Sequence, residues 1–341
     1  MAVRRPPTAA ALAIALACGA ACSSASSATT TAPTSPSSQP PAGATGCART
    51  STGLVPLTDL GARTYAGEAG GLYPTGNARP GAHDATGQTL ARQIGPVDTE
   101  GRPDPGGRYA FVSIGMSNTT QEFSVFKASA DADPQKDPRL AIVDGAQGGM
   151  TAQAWSSPGC TCWSVLETRL RSAGLTNHQV AAAWVKLANS NPRGDFRREA
   201  ELMRDQIGGV LRQLRVRFPH LRLAYLSSRT YGGYATTTLN PEPYAYESGF
   251  AVKWVIEQQL AGAGGLGLDE NGAGDVPWLS WGPYLWADGL TPRSDGLIWT
   301  CADFADDGTH PSASGRRKVA DLLLQFVRTD RTAREWYLAG Q

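Results

Sequence analysis

The chain has 341 residues, of which 41% are hydrophobic and 18% charged, and its formal net charge is +1. It is too apolar to be a disordered chain, and it lacks the basic field that a phosphate backbone requires, so nucleic acid is excluded as a partner. With 39 glycines and 23 prolines, it is expected to carry long structured loops.

The N-terminus reads as a targeting segment. Arg4 and Arg5 supply a positive start, and residues 9–17 supply an apolar stretch too short to cross a bilayer. Gly19-Ala20-Ala21-Cys22 resembles a lipoprotein cleavage site, with Gly19 where a leucine is usual. Two readings stay open: attachment to a membrane through a lipidated Cys22, or plain secretion. Residues 23–46 are almost wholly Ser, Thr, Ala, Pro and Gly and cannot bury enough apolar area to offset their ordering entropy, so they read as a tether. The expected organisation is a signal over 1–22, a linker over 23–46 and one domain over 47–341 in an exported protein. Beyond the signal the chain carries Cys47, Cys160, Cys162 and Cys301; an even number in an exported chain predicts disulfides, with three pairings open. Cys160 and Cys162 lack the usual zinc spacing and have no nearby His, so no metal is expected.

Residues 48–107 show little periodicity and read as loops and short strands. An apolar run at 109–114 ends at Gly115 and predicts a buried strand; the run at 140–143 before Asp144-Gly145 predicts a second. A third covers 180–187, ending at Ala188-Asn189. A helix over 200–216 follows, with Ile207, Val210, Leu211 and Leu214 on one stripe. The fourth strand, 221–226, ends at Ser227-Ser228. Two further helices are predicted, one over 250–260 and one carrying Val319, Leu322, Leu323, Phe326 and Val327, with Ser312 or Ser314 as N-cap. Continuous apolar strands alternating with helices predict a doubly wound α/β sheet, largely parallel and covered on both faces. In such folds the working residues gather beyond the carboxyl ends of the strands.

Each strand end offers candidates. Gly115-Met116-Ser117 places a hydroxyl after the first strand, and Asp307-Gly308-Thr309-His310 places a carboxylate and an imidazole three residues apart just before a helix. That pattern suits a general base, His310, held in one tautomer by Asp307 and activating Ser117. Every residue also has a structural use. The alternative readings are Ser117 as a turn cap, Gly148 as a residue needed for a positive φ, Asn189 as a strand-end turn residue and Asp307 as a helix-entry residue. His83, His178 and His220 read as solvated, and Asp303 and Asp306 as solvated or as secondary partners.

With its blocks in this order, the chain is similar to the SGNH, or GDSL-like, hydrolase superfamily over most of residues 109–328. The resemblance implies a three-layer, flavodoxin-like α/β/α fold and serine esterase chemistry without a cofactor. It implies Ser117 as nucleophile, with Ser117 N–H, the Gly148 N–H in Gly145-Ala146-Gln147-Gly148-Gly149 and the Asn189 amide (preferred to Asn191) as oxyanion donors. Two departures stand out: Met116 where the family has Asp, and Ala188 near a usual glycine. The expected activity is an exported O-acyl or O-acetyl esterase acting on a small-molecule or polysaccharide ester. A glycan-binding protein with little turnover and a lipase- or thioesterase-like hydrolase are the alternatives. Between the fourth strand and His310 lie ten tyrosines and tryptophans, from Tyr231 to Trp299. Arg229, Tyr231, Trp281 and Trp286, with Glu247 and Asp288 nearby, are expected to line a sugar cleft; the competing expectation is that the rings pack the loops on the sheet. Composition does not fix the oligomeric state.

Overall fold

Short apolar runs with no polar alternation suit strands buried on both faces, and all seven residues of β1 (Tyr109–Gly115) are buried. In the computed structural model, which describes residues 46–189, 191–269 and 272–340, four more strands join it: β2 (Leu140–Val143), β3 (Val180–Lys186), β4 (Leu223–Leu226) and β5 (Trp278–Trp281). They form one parallel sheet in the order β2-β1-β3-β4-β5. The predicted signal, all of the predicted linker but Gly46, and Cys22 lie outside the described residues.

In chain order the helices are α1 (Gly81–Ala91), α2 (Ser117–Asp131), α3 (Ala152–Ser156), α4 (Thr161–Ser172), α5 (Phe196–Arg217), α6 (Tyr244–Leu260), α7 (Ala313–Thr329) and α8 (Arg334–Tyr337). Helical crossovers join the strands, with α2 packed on α7 and α5 packed on α6, giving three layers. The order 2-1-3-4-5 is the flavodoxin-like one, as expected. The chain leaves β1 toward β2 and then returns to β3 on the opposite side, so a crevice opens beyond the carboxyl ends of β1 and β3. Ser117 follows β1 and Asn189 follows β3.

The sequence reading anticipates α5, α6 and α7 but not α1–α4 or α8, and two of the differences have a clear physical reason. Residues 81–91, expected as loop, form α1. Its helical stripe is weak, and it is held by the buried carboxylate of Asp84 on Arg79 (2.6 Å) and by packing of Gly87 against Trp278. β5 was hidden among the loop aromatics because it spans only four residues between Pro277 and Gly282. The disulfides are Cys47–Cys301 and Cys160–Cys162; the first ties the start of the described chain to the loop that leads to Asp307.

Candidate active site

The turn from β1 into α2 needs a glycine at 115. A Cβ there would lie 2.2 Å from Thr119 Oγ1 and 2.5 Å from the Lys186 carbonyl oxygen, so only glycine lets the strand pass directly into the helix. Met116 is the extended N-cap residue, and its side chain makes no cap. Ser117 is therefore the first helical residue. Its backbone N–H is one of the orphan donors of the helix start, and its hydroxyl does not cap the turn but reaches His310, with Oγ 2.7 Å from Nε2.

The opposite partner is built within four residues. His310 Nδ1 lies 2.5 Å from Asp307 Oδ2, while Asp307 Oδ1 accepts from the backbone N–H groups of Thr309 and His310, both at 2.9 Å. Burial pushes the Asp307 carboxyl up, but the bonds from His310 and the two backbone amides outweigh it and hold the group below its ordinary value. An ionised Asp307 fixes the proton on Nδ1 and leaves Nε2 as acceptor for the Ser117 hydroxyl. Gly308 makes this loop achievable: its φ is +64°, and a Cβ would lie 1.8 Å from the Tyr234 carbonyl oxygen. Asn118 Nδ2 donates to the Thr309 carbonyl at 2.7 Å, locking the start of α2 to the histidine loop. Ser312 then caps α7 by accepting from Gly315 N–H.

The oxyanion side is less complete. Gly148 adjoins the serine, since a Cβ on it would sit 3.9 Å from Ser117 Cβ; the positive φ in this loop belongs to Gly149, at +76°. Among the described residues the Gly148 N–H makes no backbone hydrogen bond, so it is free to donate. Asn189 borders the same cavity, but its amide corrects the expectation drawn from the resemblance. Nδ2 donates to the Glu199 carbonyl oxygen and to Glu199 Oε2, both at 2.9 Å, which uses both of its hydrogens. Glu199 is itself fixed by accepting from the Arg193 and Gly194 backbone N–H groups, so the amide is held away from an oxyanion. Asn189 Oδ1 is buried without a partner. Asn191 Oδ1 accepts from Thr238 Oγ1.

A cavity of about 280 Å³ opens beside the serine, bordered by Met116, Ser117, Asn189, Arg229, Asn240 and His310. Of the expected substrate cleft only Arg229 reaches it. Tyr231, Trp281 and Trp286 are core residues, each satisfied by a distant partner: Tyr231 OH by the Arg49 carbonyl (2.8 Å), Trp281 Nε1 by the Leu72 carbonyl (2.6 Å) and Trp286 Nε1 by Glu242 Oε1 (2.7 Å). The rings pack the loops on the sheet, the second of the two expectations. Glu247 accepts from Tyr65 OH, and Asp288 holds the 51–53 turn through Ser51, Thr52 and Gly53. Asp303 is likewise structural, buried on Lys318 Nζ at 2.6 Å. His83 is not simply solvated, because its ring stacks on Trp278 and bonds the Leu279 carbonyl. Sequence reasoning missed Asn240, which follows no strand and is brought to the cavity by the loop before α6. Among the described residues no group of three or more His, Cys, Asp or Glu is placed to hold a metal ion, and no helix is long and apolar enough to cross a membrane.

No protein-family model matches the chain, and neither does any curated protein. Solved structures with some likeness include a protein of Arabidopsis thaliana (16% identity, 61% of this chain and 67% of that one, TM-score 0.33). A carbohydrate esterase family 3 protein of Talaromyces cellulolyticus is 13% identical over 64% of this chain and 95% of its own, with a TM-score of 0.36. The periplasmic domain of a lipopolysaccharide acetyltransferase of Salmonella ser. Paratyphi A is 12% identical over 73% and 96%, with a TM-score of 0.33.

Proposed function

We propose that the chain is an exported serine hydrolase that removes a short acyl group from a hydroxylated compound, a carbohydrate being the best match. The observation that carries this reading is the continuous relay Ser117 Oγ–His310 Nε2, His310 Nδ1–Asp307 Oδ2, at 2.7 and 2.5 Å, opening on a cavity. In the proposed reaction Ser117 Oγ attacks the ester carbonyl carbon as its proton passes to His310 Nε2. The negative oxygen of the tetrahedral intermediate lies against the N–H groups of Ser117 and Gly148. Its collapse expels the alcohol, which takes the proton from His310, and leaves an acyl-serine. A water molecule, deprotonated by His310, then attacks the acyl carbon; the carboxylic acid departs and Ser117 recovers its proton.

Cavity size speaks against long acyl chains, since about 280 Å³ falls at or below the range of roughly 300–1,000 Å³ for drug-sized ligands. The alcohol side is read from unpartnered acceptors. Asn189 and Asn240 both border the cavity, the Oδ1 of each is buried without a partner, and a polyol supplies the matching O–H donors. One observation favours a second reading, a ligand-binding protein with little turnover: the Asn189 amide is already spent on Glu199.

A panel of 4-nitrophenyl esters from acetate to palmitate, with acetylated xylo-oligosaccharides alongside, tests the reading. Turnover concentrated on acetate to butyrate and on the acetylated sugar supports it. No turnover of any ester, with the sugar still bound, would establish the second reading; a preference for palmitate would establish a lipase.

A further inference from the structure

Resting on that hydrolase reading, we propose that Arg229 anchors a negatively charged group of the ester, so that the site selects anionic esters over neutral ones. Arg229 is only 4% exposed, and its Nε and Nη1 are buried with no partner. Among the described residues it has no ion pair and no side-chain hydrogen bond, although its backbone N–H is fixed by Ser248 Oγ at 3.0 Å. It borders the cavity that holds Ser117 and His310. A guanidinium keeps its charge at any pH the protein meets and offers five donors in a planar fork, so leaving it buried and unpaired is costly.

The carboxylate whose charge acts on it, Glu122, does not relieve it. Glu122 is engaged by Lys186 through both carboxylate oxygens, at 2.6 and 2.5 Å, and both side chains of that pair are buried. Burial pushes the Arg229 guanidinium down, and Glu122 only partly opposes this. Glu122 and Lys186 therefore neutralise each other, and Arg229 is left with an uncompensated positive charge at the cavity. The missing counter-charge is met by a ligand, and a carboxylate is the group that a charge-assisted bond from a guanidinium suits.

The carboxylate has two sources, the acyl half of the ester or the alcohol half, and paired substrates separate them. For the acyl half, kcat/KM is compared between mono-4-nitrophenyl glutarate and 4-nitrophenyl valerate. For the alcohol half, the pair is 3-acetoxybenzoate and phenyl acetate, followed by acid release. In one arm the anionic member is preferred, and Arg229→Met lowers that ratio at least about tenfold, the loss expected for a charge-assisted bond. Arg229→Lys, which keeps the charge without the fork, retains part of it. A ratio unchanged by Arg229→Met in both arms overturns the proposal.

Calorimetry on the Ser117→Ala protein keeps the test independent of turnover and of how the Arg229 variants fold. Glutarate binds at least about tenfold tighter than its neutral diamide, and equal affinity for the two overturns the proposal. If wild-type protein hydrolyses no ester while glutarate still binds preferentially, the hydrolase reading falls and the anion site stands. If neutral esters turn over and neither measurement shows a preference for the anion, the hydrolase reading stands and the anion site falls.

Discussion

The two sides of the candidate site are built to different degrees. On the base side every atom has its partner: Ser117 on His310, His310 on Asp307, and Asp307 on two backbone amides of its own loop. The oxyanion side has two free backbone donors and one side-chain amide spent on Glu199. The base side closes locally, because Asp307 and His310 share one turn whose shape Gly308 permits. The oxyanion side draws on loops after three different strands and depends on which neighbour wins each side chain. The lesson is that a nucleophile and its base can be complete while the stabilising donors are reduced to the backbone.

The largest expected effect breaks the base side. Ser117→Ala loses on the order of 10⁴-fold or more in kcat, by analogy with serine triads in general, while circular dichroism and melting temperature stay near wild type. Asp307→Asn leaves the fold but removes the charge that fixes the His310 tautomer; kcat falls by about 10⁴-fold, measured on the same short-chain ester.

A buried acid beneath the oxyanion side gives the next effect, in stability. Burial raises the Glu247 carboxyl to about 7, helped by Glu242 and Glu199 and opposed by the Tyr65 hydroxyl. The unfolded chain has the ordinary value of 4.5, so between those two values the folded protein binds more protons and stability falls as pH rises. At 1.36 kcal/mol per unit the full loss is at most about 3–4 kcal/mol. Denaturant unfolding from pH 4 to pH 8 should show this decline, and Glu247→Gln should flatten it; an unchanged slope would mean Glu247 does not titrate in this window.

Asn189→Ala gives the smallest change. With Nδ2 held by Glu199, kcat falls less than about tenfold, against the roughly 10²–10³-fold typical of a lost oxyanion donor. A loss in that larger range would show that the amide leaves Glu199 during turnover, and the two sides would then be equally complete.

How much of this the sequence disclosed follows the same division. Strands with continuous apolar runs and the Asp307–His310 turn are local patterns, and they were readable. β5 was not, because four residues beside a proline carry too little signal. α1 was not, because its stability comes from the adjacent Arg79 and the distant Trp278 and Arg331 rather than from an apolar stripe. The aromatics were ambiguous in principle: a ring beside Gly or Pro reads alike as cleft or packing until its polar atom finds Leu72, Arg49 or Glu242 hundreds or tens of residues away. Arg229 was visible as a cationic neighbour of the site, but not the capture of Glu122 by Lys186 that leaves it unpaired.

The central claim is that Ser117 is an activated nucleophile. Treatment of the purified protein with a fluorophosphonate, followed by peptide mass spectrometry, tests it directly. A single adduct is expected on Ser117, absent from Ser117→Ala and strongly slowed in His310→Ala. An unlabelled Ser117, or labelling that proceeds at the same rate without His310, would contradict it.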